Sequence, residues 1–312
     1  MSANWFITGT SSGFGRHLTE LLLERGDRVA ATCRKIQALA DLQSRYGDRL
    51  WTAALDVTDT AKVKSVVGRA FAELGSIDVV VNNAGYVLLG AAEEVSDGQV
   101  AQQLATNLVG SIHVTRAVLP HLRAQGGGRI LQLSSIGGQL AYPGCSIYHA
   151  SKWGIEGFVE ALIPELASFN IQITLVEPGS ARTELAHRNR VMGNALAIYD
   201  DTPAGQLRRY VGLGQVTHPG DPVKMARAMI ACADLANAPK RLTLGRDAYD
   251  QIHASLKERL ATLEGQKTLA YSTDLDKRDT FVAGEHHQNG RERECHLDED
   301  RAVGRLGSFL AK

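Results

Sequence analysis

Short apolar runs alternate with longer stretches of helical period through about 180 residues of this chain, and no other feature constrains its fold as strongly. Trp5–Thr8, Asp27–Cys33, Leu50–Leu55, Ile77–Val81, Arg129–Leu133 and Ile171–Val176 read as buried strands. Between them, Arg16–Arg25, Thr60–Leu74, Gln102–Gln125 and Tyr148–Phe169 repeat their apolar residues at the helical period. Strand and helix in strict alternation make βαβ units, which need a parallel sheet covered by helices on both faces. Right-handed crossovers then give an α/β architecture, a doubly wound parallel sheet in three layers, α/β/α. No linker interrupts the pattern, so a single domain is expected.

After Val176 the pattern loosens. Residues 180–215 carry Gly, Pro, Asn and scattered charge and read as a substrate loop. A helix over Pro222–Leu235, a strand over Arg241–Leu244 and a helix over Asp247–Leu263 follow. From about Asp274 the chain is charged and poor in aliphatic residues. The catalytic domain is therefore expected over residues 1–265, with 266–312 a charged, flexible extension. Cys295 and the nearby His286, His287 and His296 lack regular ligand spacing, so no metal is expected.

Composition narrows the class of function. Lys+Arg and Asp+Glu are 34 each, without the basic excess that phosphate neutralisation asks of a nucleic-acid binder. Cys33, Cys145, Cys232 and Cys295 are far apart and form no C-x-x-C pair, as expected of reduced thiols in the cytosol. No apolar run approaches the ~20 residues that cross a bilayer, and no basic-then-apolar leader opens the chain. A soluble cytoplasmic protein with no membrane and no nucleic-acid partner is expected.

Four motifs carry chemistry. Thr8-Gly9-Thr10-Ser11-Ser12-Gly13-Phe14-Gly15 falls where the first strand turns into a helix. Glycine lets backbone approach a pyrophosphate there, and the helix N-terminus offers free N–H groups and a positive dipole end. In a Rossmann-like sheet this turn is where a dinucleotide binds. Arg34-Lys35 ends the second strand, beside the adenosine ribose of such a fold, and no acidic residue stands in Val29–Lys35. A guanidinium suits a 2′-phosphate, so NADP(H) is expected over NAD(H). Asn82-Asn83-Ala84-Gly85 closes the fourth strand with small residues that let backbone meet a flat ligand. Finally, Tyr148 and Lys152 share a helical face, with Ser134-Ser135 upstream. A lysine ammonium so placed is expected to favour the phenolate and lower the Tyr148 pKa, fitting the hydroxyl for proton exchange with a carbonyl or carbinol oxygen.

Taken together, these landmarks resemble the short-chain dehydrogenase/reductase family in its short single-domain branch. They stand in the family's order: TGTSSGFG at 8–15, NNAG at 82–85, the Asn107 of ATN, Ser135 thirteen residues before Tyr148, and YHASK at 148–152. Asp56, Pro178-Gly179 and Thr183 complete the pattern, which covers residues 3–265. VAATCR and the wider pattern are weakly similar to the branch of 17β-hydroxysteroid and retinol dehydrogenases. The resemblance implies hydride transfer between a nicotinamide and a carbon bearing oxygen, with Tyr148 as general acid/base. Lys152 would tune Tyr148 and hold the nicotinamide ribose, Ser135 would bind the substrate oxygen, and Asn107 would hold a water leading to Lys152. It further implies that Gly9, Ser11, Ser12, Gly13, Phe14, Gly15, Arg34, Lys35, Asp56, Val57, Asn83, Ala84, Gly85, Pro178, Gly179 and Thr183 surround the cofactor. A homodimer or homotetramer is implied as well.

The substrate pocket is expected from Ile136, Leu140, Tyr142, Cys145, Leu185, Met192, Leu196 and Tyr199, beside Ser135 and Tyr148. Their apolar character suits a hydrophobic alcohol or ketone. His149 is expected to point off the catalytic face, and Pro164 to kink the helix without loss of chemistry. Arg182 suits an acidic substrate, a cofactor phosphate or a surface ion pair. The alternatives are a cofactor-binding sensor or scaffold without turnover, and an extended-type epimerase or dehydratase. Sensors usually lose the Tyr or the Lys, and the extended type carries different glycine spacing.

Overall fold

The computed structural model describes residues 2–183 and 190–275. Seven strands make one parallel sheet: β1 Asn4–Thr8, β2 Arg28–Cys33, β3 Leu50–Ala54, β4 Val79–Asn82, β6 Gly128–Leu133, β7 Ile171–Pro178 and β9 Arg241–Leu244. Their order is β3-β2-β1-β4-β6-β7-β9, so the winding reverses between β1 and β4. In such a sheet ligands bind beyond the carboxyl ends of the strands at that reversal. A small parallel pair, β5 Val87–Leu89 with β8 Arg190–Met192, stands apart from the sheet.

The covering helices are α1 Gly13–Arg25, α2 Ala40–Tyr46, α3 Thr60–Leu74, α4 Asp97–Leu104, α5 Gly110–Ala124, α6 Ser146–Leu166, α7 Pro203–Gly212, α8 Pro222–Asp234 and α9 Arg246–Gly265, with a short α10 at Lys267–Tyr271. Side chains alternate along β1 as its pleat requires. Trp5 and Ile7 join the layer with Leu18, Leu22 and Met229, while Phe6 faces Val63, Val118 and Val159 on the other side. Each such side chain, fully buried, contributes roughly 1.5–3 kcal/mol. The sheet and its helices form one Rossmann-like domain within the compact unit Met1–Leu260; in the unit Ala261–Lys312 the described residues finish α9 and form α10.

The expected strands and helices are present, with three differences. The helix expected over Gln102–Gln125 begins earlier, at Asp97, where Ser96 and Gln99 form a reciprocal capping box. It is also broken by a π turn at Ala105–Val109, one extra residue in the coil. Within residues 180–215 lie β8 and α7, the latter started by Pro203 and the Thr202 side chain, which accepts the Gly205 N–H. Pro164 falls near the end of α6, which continues to Leu166.

Candidate active site

The glycine turn is built against its neighbours before any ligand is considered. Gly9 has φ +73°, and its N–H and that of Thr10 both donate to the Thr32 carbonyl, at 2.8 and 3.1 Å. This ties the turn to the end of β2. From the other side Asn83 Nδ2 donates to the Thr8 and Gly9 carbonyls (2.8 and 3.0 Å), and the Asn83 and Ala84 N–H groups donate to Thr8 Oγ1 (3.0 and 3.1 Å). A Cβ at Gly15 would stand 2.5 Å from the Gly9 carbonyl oxygen and from Asn83 Nδ2. Gly15 is therefore required by the protein's own packing at the β1–β4 reversal. Gly15→Ala is expected to cost about 1–3 kcal/mol in denaturant unfolding, and an unchanged midpoint would refute that packing argument.

Ser12 is the N-cap of α1 in extended backbone, so the first turn of the helix opens at the mouth of the sheet. Ser11 is exposed, Phe14 half-buried against the core, and Arg34 and Lys35 are both exposed past β2. Among the described residues neither makes an ion pair, whereas Arg16 binds Asp41 and the Ala38 carbonyl (3.0 Å) and so fixes the segment that follows them. Asp56 accepts the Thr58 N–H and hydroxyl (3.0 and 2.8 Å), and Val57 is buried under Gly110. Thr183 returns over the turn, its Cβ 3.6 Å from where a side chain at Gly13 would begin. Between Pro178 and Thr183, the Gly179 N–H donates to Leu244 (2.8 Å) and the Ser180 N–H to Asp247 Oδ2 (2.7 Å). The cradle thus fits a dinucleotide in its backbone: a helix N-terminus, close-packed turns and exposed cations lie along one rim.

Ser135 follows β6 and caps a 3-10 turn, Ile136–Gly138; its Oγ accepts the Gly137 N–H at 3.0 Å and lies near enough to the Tyr148 hydroxyl to favour its ionised form. Lys152 lies one turn along α6, 8 % exposed, its Nζ 5.8 Å from the Tyr148 ring centre and donating to the Leu133 carbonyl at 2.9 Å. The π turn directs the Asn107 amide inward. Its Nδ2 donates to the Tyr86 carbonyl (2.9 Å) and to Ser151 Oγ (3.4 Å), and its Oδ1 accepts the Tyr86 N–H (3.1 Å). Ser151 Oγ in turn donates to the Tyr148 carbonyl at 2.6 Å. Gly85 packs against the same amide.

Charge in this cluster departs from the expectation that Lys152 lowers Tyr148. Burial pushes the Tyr148 hydroxyl up to about 12, against the opposite influence of the nearby Ser135 side chain. Burial pulls Lys152 down to about 8, against the attraction of Glu156. The cause is desolvation, which disfavours both charged forms and which a helical spacing cannot reveal.

Around this centre the residues expected to form the pocket divide. Ile136 and Leu140 pack with Ala248 and Ile252 of α9, and the Tyr142 hydroxyl donates to Gln251 (2.9 Å), so this wall is closed by the protein's own helix. Met192 and Leu196 are partly exposed, and Leu185 lies outside the described residues. The apolar surface against Tyr148 is instead Val87, Leu89, Cys145, Leu207, Val211 and Val216, of which only Cys145 was expected. The Leu207/Val211 spacing on α7 was the available signal. Glu94, also unexpected, is buried and fastens this roof: it accepts the Ala91 and Leu196 N–H groups (2.8 and 3.0 Å) and pairs with Arg208.

The His149 ring lies edge-on to that of Tyr148, centroids 5.7 Å apart, and is held by the backbone on either side of it. Its Nδ1 donates to the Gly137 carbonyl and its Nε2 accepts the Tyr142 N–H, both at 2.8 Å, which requires the neutral ring. Burial lowers its pKa below 6.5, so beneath that pH the unfolded chain takes up a proton the folded one resists. Thermal stability is expected to fall as pH drops below about 6.5, and the slope to flatten in His149→Gln; equal slopes in both proteins would refute this.

The description "short chain dehydrogenase" matches residues 4–192. The chain is 39 % identical to the oxidoreductase BOA17 of Botryotinia fuckeliana over 80 % of its own length and 91 % of that protein's. It is 33 % identical to a 3-ketodihydrosphingosine reductase of Bacteroides thetaiotaomicron, covering 77 % of this chain and 86 % of the other. A solved short-chain dehydrogenase from Streptomyces avermitilis superposes with TM-score 0.81 at 36 % identity, covering 88 % of this chain and 98 % of that one. Solved structures of the same fold hold NAD or NADP. The chain belongs to the short-chain dehydrogenase family and is an NAD(P)-dependent oxidoreductase.

Proposed function

We propose that this enzyme reduces the carbonyl group of an apolar ketone or aldehyde with NADPH, Tyr148 giving the proton. The observation that carries the reading is the gathering of Tyr148 with Ser135 and Lys152, its ring 5.8 Å from Lys152 Nζ and packed in the apolar cluster of Leu89, Cys145 and Val211. A hydroxyl held near 12 stays protonated at neutral pH and is poised to donate. Ser135 and Tyr148 together bind the carbonyl oxygen as it gains negative charge. Lys152, charged below about 8, stabilises the phenolate left behind. Asn107 holds the Tyr86 backbone and the α6 turn that carries Tyr148. The apolar roof keeps water from the reacting oxygen.

Gly9, Ser11, Ser12, Gly13 and Phe14 would hold the cofactor's phosphates, Asp56, Val57, Asn83, Ala84 and Gly85 its adenosine side, and Pro178, Gly179 and Thr183 its nicotinamide. The bound nicotinamide supplies the hydride. Exposed Arg34 and Lys35, with no carboxylate at the end of β2, support the 2′-phosphorylated form. The similarity to a 3-ketodihydrosphingosine reductase supports a carbonyl substrate with an apolar body. The catalytic domain would span 1–265 with 266–312 an extension, working as a cytoplasmic homodimer or homotetramer; no described helix is long and apolar enough to cross a membrane.

The test is loss of reduced-nicotinamide absorbance with NADPH or NADH over ketones and aldehydes graded from apolar to charged. Turnover is expected with NADPH and to rise with apolar size. Faster turnover with NADH overturns the cofactor preference, and a preference for charged substrates overturns the substrate class. Binding of NADPH without turnover, in this panel and in the reverse panel of alcohols with NADP, moves the protein to the sensor reading.

A further inference from the structure

Behind the Ser135–Tyr148–Lys152 centre lies a second cluster of charged groups that the proposed reaction does not use. Glu156, 4 % exposed on α6, and Glu177, 1 % exposed at the end of β7, are both buried. They share one cation, Arg241 on the last strand, whose guanidinium also meets Glu160. Ser134, next to Ser135, donates to Glu156 Oε1 at 2.5 Å, and Gln139, just past the Ser135 turn, donates to both Glu156 and Glu177. Thr243 donates to Glu177 at 3.1 Å. A side chain at Gly138 would overlap the Glu156 carboxylate, so the turn is shaped around it.

One guanidinium faces both buried carboxylates, and Lys152 stands one helical turn before Glu156 on α6. We propose that Glu156 is a positioning residue for the reaction: its carboxylate clamps the turn carrying Ser135 and balances the charge of Lys152 from behind. This rests on the reading of Tyr148 and Lys152 given above. The groups that face Lys152 are Tyr148 and Glu156 on its own helix and the Leu133 carbonyl of β6; those that face Glu156 are Ser134, Gln139 and Arg241. Glu156 is the one that opposes the burial of Lys152. Burial and the neighbouring Glu156 raise the pKa of Glu177 above the usual carboxylate range, against Arg241 and Thr243.

The test compares wild type, Glu156→Gln and Glu156→Asp in two readouts. The first is competitive acetylation of Lys152 by acetic anhydride across pH, read by mass spectrometry, which needs neither substrate nor turnover. The second is the pH profile of ketone reduction. In Glu156→Gln the Lys152 titration and the alkaline limb of the profile are expected to move down together by about one pH unit. In Glu156→Asp, which keeps the charge, both are expected to stay near wild type while kcat falls. Arg241 retains Glu177 and Glu160 in the glutamine variant, so no guanidinium is stranded. Should that variant not fold, Glu156→Gln with Arg241→Gln and Glu177→Gln, neutral at all three buried positions, carries the same expectation. An unmoved Lys152 titration, or equal movement in the glutamine and aspartate variants, overturns the proposal. If wild type turns over nothing, the redox reading fails, while the acetylation readout still decides the role of Glu156.

Discussion

Tyr148→Phe is expected to lose turnover by about 10²–10⁴-fold while still binding NADPH and folding normally. The ring stays in its apolar setting against Leu89, Cys145 and Val211, so the packing that holds it is kept. What disappears is the hydroxyl that the proposed reaction uses to give a proton to a carbonyl oxygen. Ser135 Oγ keeps the Gly137 N–H as a partner and is not left bare. Fluorescence titration of NADPH and a thermal melt separate loss of chemistry from loss of structure. A phenylalanine variant retaining more than a tenth of wild-type turnover would remove Tyr148 from the reaction.

Arg34→Asp carries the second largest effect. Arg34 stands exposed past β2, without an ion pair among the described residues, where an acidic residue would instead accept a ribose hydroxyl. Loss of a charge-assisted contact costs about 1.5–3 kcal/mol, so the KM for NADPH is expected to rise roughly 10–150-fold. The KM for NADH should fall or stay level, because the new carboxylate repels only the 2′-phosphate. Steady-state kinetics with both cofactors reads this directly. An equal rise for the two would mean that Arg34 supports the turn and not the phosphate.

The sheet was legible because its strands are buried on both faces and therefore read as continuous apolar runs, from Trp5–Thr8 through Ile171–Val176. β5 and β8 were not, since three residues each leave no period to detect. The π turn at Ala105–Val109 was invisible for another reason: one extra residue in a helix changes hydrogen-bond register without changing composition. Ser135, Tyr148 and Lys152 could be picked out because their spacing is local. Glu94–Arg208 and Glu156–Arg241 join residues 114 and 85 positions apart, and pairing at that range leaves no mark on either segment. The Tyr148 pKa went the other way from its helix neighbour's pull because burial is a property of the assembled layers.

Strand order also dictates a timetable. β7 is flanked by β6, laid down before it, and by β9, which the ribosome delivers more than sixty residues later. Until Arg241 arrives, Glu156 and Glu177 have no guanidinium between them, and the Ser135 turn lacks Ile252 and Gln251 of α9 at its back. A nascent chain that has passed Ser135, Tyr148 and Lys152 thus still lacks the strand that pairs the carboxylates behind them. A chain truncated before β9 is therefore expected to leave Glu156 and Glu177 buried without their shared guanidinium, even with the Ser135 turn already synthesised.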